Sequence, residues 1–272
     1  MSSIALAGDW HGQLGWQKAA LHTLGRRGVK IVLHAGDYGV GWPGKWPSFV
    51  DSAESVLKQY DMTLYVTPGN HENWNWINSR EYDDVGFYHM TKHAILLRRN
   101  TVFEIPYGDG QSRLVHSLGG APSIDYQFRS QNVSWWKEEM LTYGDVLRAC
   151  EIGEEYDVDI MMTHDAPDGG TDRVQRIIDN PDYTMFTRNG FAYAAEGRAL
   201  MNHAVSGVKP KMFVHGHFHA ADQKKDETTH WVSLGCDHQA NNLAMLDLAT
   251  LDVEFIPQLD EDLVEEYVRV RR

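Results

Sequence analysis

Apolar positions along this chain gather in short runs rich in β-branched residues. Each run is stopped by a polar, often glycine-containing cluster: IALAGDWHG (4–12), KIVLHAGDYG (30–39), MTLYVTPGNHE (62–72), VDIMMTHDAP (158–167) and KMFVHGHFH (211–219). Such runs read as buried strands, each broken at its C-terminal end. Between them, apolar residues recur at helical spacing over 14–27, roughly 46–60, 135–150 and 191–205. Strands alternating with helices predict an α/β sheet core, in which ligands collect at the carboxyl ends of the strands. The polar clusters therefore fall where a site is expected.

Segments 94–97, 101–105, 113–118, 230–234, 242–247 and 252–256 predict further short strands without helices between them, joined by turns such as YGDGQ (107–111). They suggest a second, more antiparallel sheet. Over 259–268, Leu259, Leu263 and Tyr267 lie four apart with Asp260, Glu261, Glu265 and Glu266 between them, which predicts a short amphipathic helix with a solvated polar face. No linker rich in Pro, Gly or Ser divides the chain. The expectation is one domain over 1–272, with 259–272 as a C-terminal helical extension.

Composition narrows the class. The 272 residues, 42% hydrophobic and 23% charged, are those of an ordinary globular protein. The opening MSSIALAGDW has no basic residue before its apolar run, and Asp9 interrupts that run, so neither a signal nor a transit peptide is expected. No apolar stretch approaches the roughly 18 residues of a membrane helix. Cys150 and Cys236 match no disulfide framework or paired zinc spacing, which favours a reducing, cytoplasmic setting. A net charge of −13 argues against an extended nucleic-acid groove, although local cations could still hold a small phosphate ligand.

The strand ends carry the chemistry. Asp9 and His11 are two apart, as are His217 and His219; Asp37 follows a strand in AGDY, Asn70 and His71 in PGNHE, and His164 in MTHDAP. Alternate residues of an extended segment face one side, so each pair can present two ligands to one point. A mixture of imidazole and carboxylate suits Mn, Fe, Co or Zn, and the set is too large for one ion; two ions sharing a bridging carboxylate is the economical arrangement. Singly, a His beyond a strand is an ordinary polar residue and a Gly-Asp an ordinary turn. Their joint occurrence at successive strand ends is what points to a metal centre.

In this order, GDWH, GD, GNHE, TH and GHFH resemble the five signature blocks of the calcineurin-like metallophosphoesterases, over residues 8–219 and with no ligand position substituted. The resemblance implies an α/β fold, a four-layer α/β/β/α sandwich of two mixed sheets flanked by helices, with a dinuclear metal site at the strand C-terminal ends. It implies Asp9, His11 and His219 on one metal, Asn70, His164 and His217 on the other, and Asp37 between them. His71 would donate a proton to the leaving oxygen or stabilise charge there. Two divalent or mixed-valence transition metals are implied, manganese first among Mn, Fe, Co and Zn, activating a bridging hydroxide that attacks phosphorus. His215 lies outside the GHFH block and is expected to be a strand-end residue, either buried and neutral or donating a hydrogen bond to a metal-holding side chain.

Small phosphodiesters such as cyclic nucleotides are the expected substrates of this phosphodiesterase-like, bacterial and phage branch. The alternatives are a phosphomonoesterase, including a protein phosphatase, then a nuclease or a non-catalytic scaffold. Protein phosphatases of the superfamily continue the second block as G-D-x-x-D-R-G, whereas this chain has GDYGVGW. The partner of His71 is thereby left open between Asp165 and Asp168. SLGGAPSID (117–125), Arg129 and WWKEE (135–139) resemble a further block of that branch, and Arg129 is a candidate phosphate contact or a structural ion pair. Trp10 and Trp74 are the candidate stacking wall for a base or aromatic leaving group, with core packing the competing reading.

Other motifs fail. GVGWPG (39–44) fits G-x-G-x-x-G, but Trp42 and Pro43 crowd the pyrophosphate position and Asp61 precedes the next strand instead of ending it. Extension to Lys45 meets Trp46 where a phosphate loop needs Ser or Thr. His71-Glu72 opens H-E-x-x-H, yet position 75 is Asn75, and no G-x-S-x-G occurs.

Overall fold

The computed structural model describes residues 3–42, 46–108 and 110–269. Pro43, Gly44 and Lys45 of the rejected glycine motifs, Asp109 of the expected turn and 270–272 of the expected extension lie outside the described residues. In chain order the elements are β1 (Ser3–Ala7), α1 (Leu14–Arg26), β2 (Ile31–His34), α2 (Trp46–Tyr60), β3 (Thr63–Val66), α3 (Trp74–Asn78), β4 (Phe87–His89), β5 (Ala94–Leu97), β6 (Thr101–Gly108) and β7 (Gln111–Leu118). They continue with α4 (Tyr143–Glu155), β8 (Ile160–Thr163), α5 (Asp172–Asp179), α6 (Arg188–Val208), β9 (Met212–His215), β10 (Asp222–Lys225), β11 (His230–Ser233), β12 (Leu243–Asp247), β13 (Val253–Ile256) and α7 (Glu261–Leu263).

Two mixed sheets result, one ordered β13-β12-β1-β2-β3-β5-β4 and the other β10-β11-β9-β8-β7-β6. Alternation along the central strands builds the layers. Ile4 and Leu6 of β1 meet Ile160 and Met162 of β8 and Met212 and Val214 of β9 between the sheets. Ala5 and Ala7 turn the other way, toward Ala20 and Leu24 of α1 and Ala53 and Leu57 of α2. On the far side, Met161 and Phe213 face Ala149 and Ile152 of α4 and Met201 and Ala204 of α6. The order is therefore helix, sheet, sheet, helix, the expected sandwich. No helix among the described residues is long and apolar enough to cross a membrane.

Two expectations are corrected. The strands without intervening helices do not form their own sheet: β5, β12 and β13 join β1, β2 and β3, while β6, β7 and β11 join β8 and β9. Pairing partners decide membership; β12 runs antiparallel to β1, with Ala5 opposite Met245. The helix expected over 135–150 starts only at Tyr143, because Thr142 and Asp145 form a reciprocal capping box that satisfies free N–H groups at that point. The short helices α3 and α5 were not anticipated.

At the C-terminal end, α7 and a π-helical turn over Val264–Arg269 cover α1. Leu259 and Leu263 are buried as their spacing predicts, and Tyr267 stacks on His22 with ring centroids 5.4 Å apart. The polar side is not merely solvated: Asp260 accepts from Arg27 at 2.9 Å and Asp262 pairs with Arg26 at 2.8 Å. Burial outweighs these exposed pairs. Leu263→Ala should lower the unfolding free energy by about 2–3 kcal/mol in urea denaturation, and Arg26→Ala should have a far smaller effect.

Candidate metal centre

The strands stop short of the motif residues. β1 ends at Ala7 and β9 at His215, and His11, Asp37, His217 and His219 take φ of 45°, 54°, 64° and 51°. Left-handed backbone is uncommon outside glycine and collects at functional sites. The paired donors thus converge through tight turns, not through the extended spacing expected from sequence. Two glycines make room for them. A Cβ on Gly36, whose φ is 95°, would collide with His164 Nδ1, and one on Gly216 would collide with Asp9 Oδ1.

These turns gather the expected donors from both sheets. Asp37 Oδ1 lies 3.1 Å from His164 Nε2, and Oδ2 lies 3.5 Å from His11 Nε2. Asn70 Oδ1 is 3.0 Å from His164 Nε2 and 3.1 Å from His217 Nδ1. Asp9 Oδ2 is 3.1 Å from His219 Nε2 and accepts the His217 backbone N–H at 2.9 Å. Donor atoms of Asp9, His11 and His219, and of Asp9, Asp37 and His164, each fall within 4.8 Å of one another; so do those of His11, Asp37 and His71.

The residues fit divalent metal. Asp9 Oδ1 is buried with no hydrogen-bond partner among the described residues. Burial opposes charge on His11 and His164, yet Asp237 and Asp37 on the first and Asp37 on the second outweigh it, raising them to about 11 and about 9. Asp37 is held well below the usual carboxylate range: burial opposes its charge, and His164 and His71 prevail. A field that retains protons on imidazoles would hold cations in their place.

Further residues, missed in the sequence, aim these donors. His11 Nδ1 lies 2.6 Å from Asp237 Oδ1, and His164 Nδ1 donates to the Ala35 carbonyl at 2.7 Å, so both rings turn Nε2 inward. Asn70 Nδ2 donates to Ser123 Oγ at 3.0 Å, which turns its amide oxygen inward. Ser123 in turn donates to Glu139 at 2.9 Å. Glu72, the last letter of GNHE, accepts from the backbone of Tyr38, Gly39 and Gly69 at 2.7, 3.1 and 2.8 Å and locks two ligand loops together. Ser123 and Glu139 lie in stretches noted only as a resemblance, and Asp237 carries no motif signal.

The partner of His71 is neither Asp165 nor Asp168. Arg129 Nη2 donates to His71 Nε2 at 2.9 Å while its Nε pairs with Asp125 at 2.8 Å. Burial and the arginine lower the His71 pKa. Trp10 and Trp74 are not brought to the cavity: both are buried, their indole N–H groups donating to Asn242 Oδ1 and the Gly69 carbonyl, each at 2.9 Å. His215 is buried and neutral, as expected, with burial lowering it to about 4. Beside the donors lies a cavity of about 330 Å³, with Asp37, Asn70, His71, His217 and His219 on one side.

Residues 2–221 match the family described as calcineurin-like phosphoesterase. No curated protein matches the sequence. Among solved structures, TT1561 of Thermus thermophilus aligns with a TM-score of 0.58 and 14% identity, over 94% of this chain and 98% of that one. A dimetal phosphatase from Danio rerio aligns with a TM-score of 0.51 and 11% identity, over 91% and 93%. At these identities the likeness is one of fold.

Two outcomes follow from the aiming residues. Asp237→Ala should weaken divalent-metal binding about 10- to 100-fold in calorimetric titration, because His11 loses the carboxylate that orients it. Burial raises the Glu139 carboxyl to about 8 from the ordinary 4.5, so folding favours its neutral form. That contribution is in place below about pH 4.5 and is lost as pH rises through about 8. Wild-type stability should therefore fall more than that of Glu139→Gln between about pH 5 and pH 8 in urea denaturation.

Proposed function

Because the chain belongs to the calcineurin-like phosphoesterase family, we propose that its metal-dependent phosphoester hydrolysis is directed at small phosphodiesters. Asp9, His11 and His219 would hold one ion, Asn70, His164 and His217 the other, and Asp37 would face both. When bound, two divalent ions supply Lewis-acid activation of water and charge neutralisation at phosphorus. Mixed nitrogen and oxygen donors favour manganese, with iron, cobalt and zinc as alternatives.

His71 and Arg129 act on the ester side. Arg129 donates to His71 Nε2, so the ring carries its proton on Nδ1. A phosphoryl oxygen drawing the guanidinium away would free Nε2 to take a proton from water and pass it to the leaving oxygen. The observation that carries the diester reading is the cavity. Beyond the donors its wall is largely apolar, and Asp125 and Asp168 pair with Arg129 and Arg198. A lining with no net positive charge suits the single charge of a diester better than the two of a monoester. The free thiols of Cys150 and Cys236 support a cytoplasmic setting.

With manganese added, bis-p-nitrophenyl phosphate should be hydrolysed in preference to p-nitrophenyl phosphate; a large preference for the monoester would sink the diester assignment. Asp37→Ala should abolish turnover of both while circular dichroism shows the fold retained. His215→Ala should harm activity much less than His217→Ala.

A further inference from the structure

The cavity has a second side that hydrolysis itself does not use. Ile177 and Ile178 of α5, Phe186 and Phe191 at the head of α6, and Phe218 between two metal donors form its apolar wall. Phe186 and Phe191 pack edge to face, with ring centroids 6.2 Å apart. Into this chamber is set Asp165, the residue after His164, only 3% exposed. Its Oδ1 accepts the Ala166 N–H at 2.8 Å, and its Oδ2 has no hydrogen-bond partner among the described residues. The other charged lining groups beyond the donors are matched: Arg129 pairs with Asp125 at 2.8 Å, and Arg198 with Asp168 at 3.2 Å. A buried acceptor without a donor is costly in the free protein and calls for one from a ligand.

We propose that this chamber receives the ester group of the substrate, and that Asp165 is a specificity-determining residue that accepts an N–H from a planar aromatic ring. The inference rests on the phosphoester-hydrolase reading of the donors beside it. Phenylalanine walls and a volume of about 330 Å³ suit a ring-sized apolar body. A planar ring bearing a neutral N–H fits between phenylalanine walls, where an alkylammonium group would have to shed its water. Asp165 lines one cavity with Asp37, Asn70 and His217, so a ring held at Asp165 leaves its phosphorus beside these donors.

The test is a matched pair of diesters with manganese: adenosine 3′,5′-cyclic phosphate, and purine riboside 3′,5′-cyclic phosphate, which lacks only the amine. The same bases as 5′-monophosphates serve if the enzyme proves to prefer monoesters. Wild-type kcat/KM should favour the amine-bearing member about tenfold or more. Asp165→Ala and Asp165→Asn should bring that ratio toward one, mainly through KM, with metal content checked by elemental analysis. Phe191→Ala, distant in sequence from every metal donor, should raise KM for both purine esters relative to bis-p-nitrophenyl phosphate. Equal rates for the pair in the wild type, an undiminished ratio in both Asp165 variants, or a preference for p-nitrophenyl phosphorylcholine overturns the inference alone. Failure to hydrolyse any phosphoester, bis-p-nitrophenyl phosphate included, overturns the reading beneath it.

Discussion

One buried carboxylate ties the two sheets together at the site. Asp37 leaves β2 in a left-handed turn, accepts the His71 N–H from the loop after β3, and faces His11 from the loop after β1 and His164 from the loop after β8. A charge so desolvated persists only with close partners, and losing one would leave it uncompensated. Much of the surrounding architecture serves that constraint. Gly36 leaves space for the imidazole opposite, and Glu72 gathers three N–H groups from the loops on either side.

The donors were legible because each sits in a short motif at the end of a strongly apolar run, and strand ends are where an α/β sheet exposes polar groups. The reason they converge was not legible. The extended spacing of Asp9 and His11 named residues that do come together, but through a different geometry, since backbone conformation beyond a strand depends on what packs there. Asp237, Ser123 and Glu139 were invisible for a related reason. Asp, Ser and Glu are ordinary surface types, and only the folded chain shows Asp237 against His11, and Ser123 backed by Glu139 behind Asn70. Trp10 and Trp74 erred in the opposite direction. An aromatic beside a motif looks available, but indole N–H groups that find partners in Asn242 and Gly69 can be sealed inside.

Division of labour runs along the chain. The candidate metal donors come from turns directly after central strands, where position is fixed by two packed layers. Most of the chamber wall comes from α5 and the head of α6, between the fourth and fifth motifs, with Phe218 added from inside the fifth. A segment outside the sheets can change side chains without disturbing the donors, so selection of substrate and cleavage of substrate are structurally separable. Asp165 stands at the boundary, one residue beyond a donor and facing the selective side.

The contact between Asp9 and His217 joins positions 208 apart. It also crosses from one sheet to the other, so neither half of the sandwich holds the complete donor set. Residues 9 through 217 must all be made before the pocket exists, and closing so long a loop is a slow, non-local step. A divalent ion held by the full set would enter only once that loop has closed, so the unfinished chain offers no complete centre with which to compete for scarce metal.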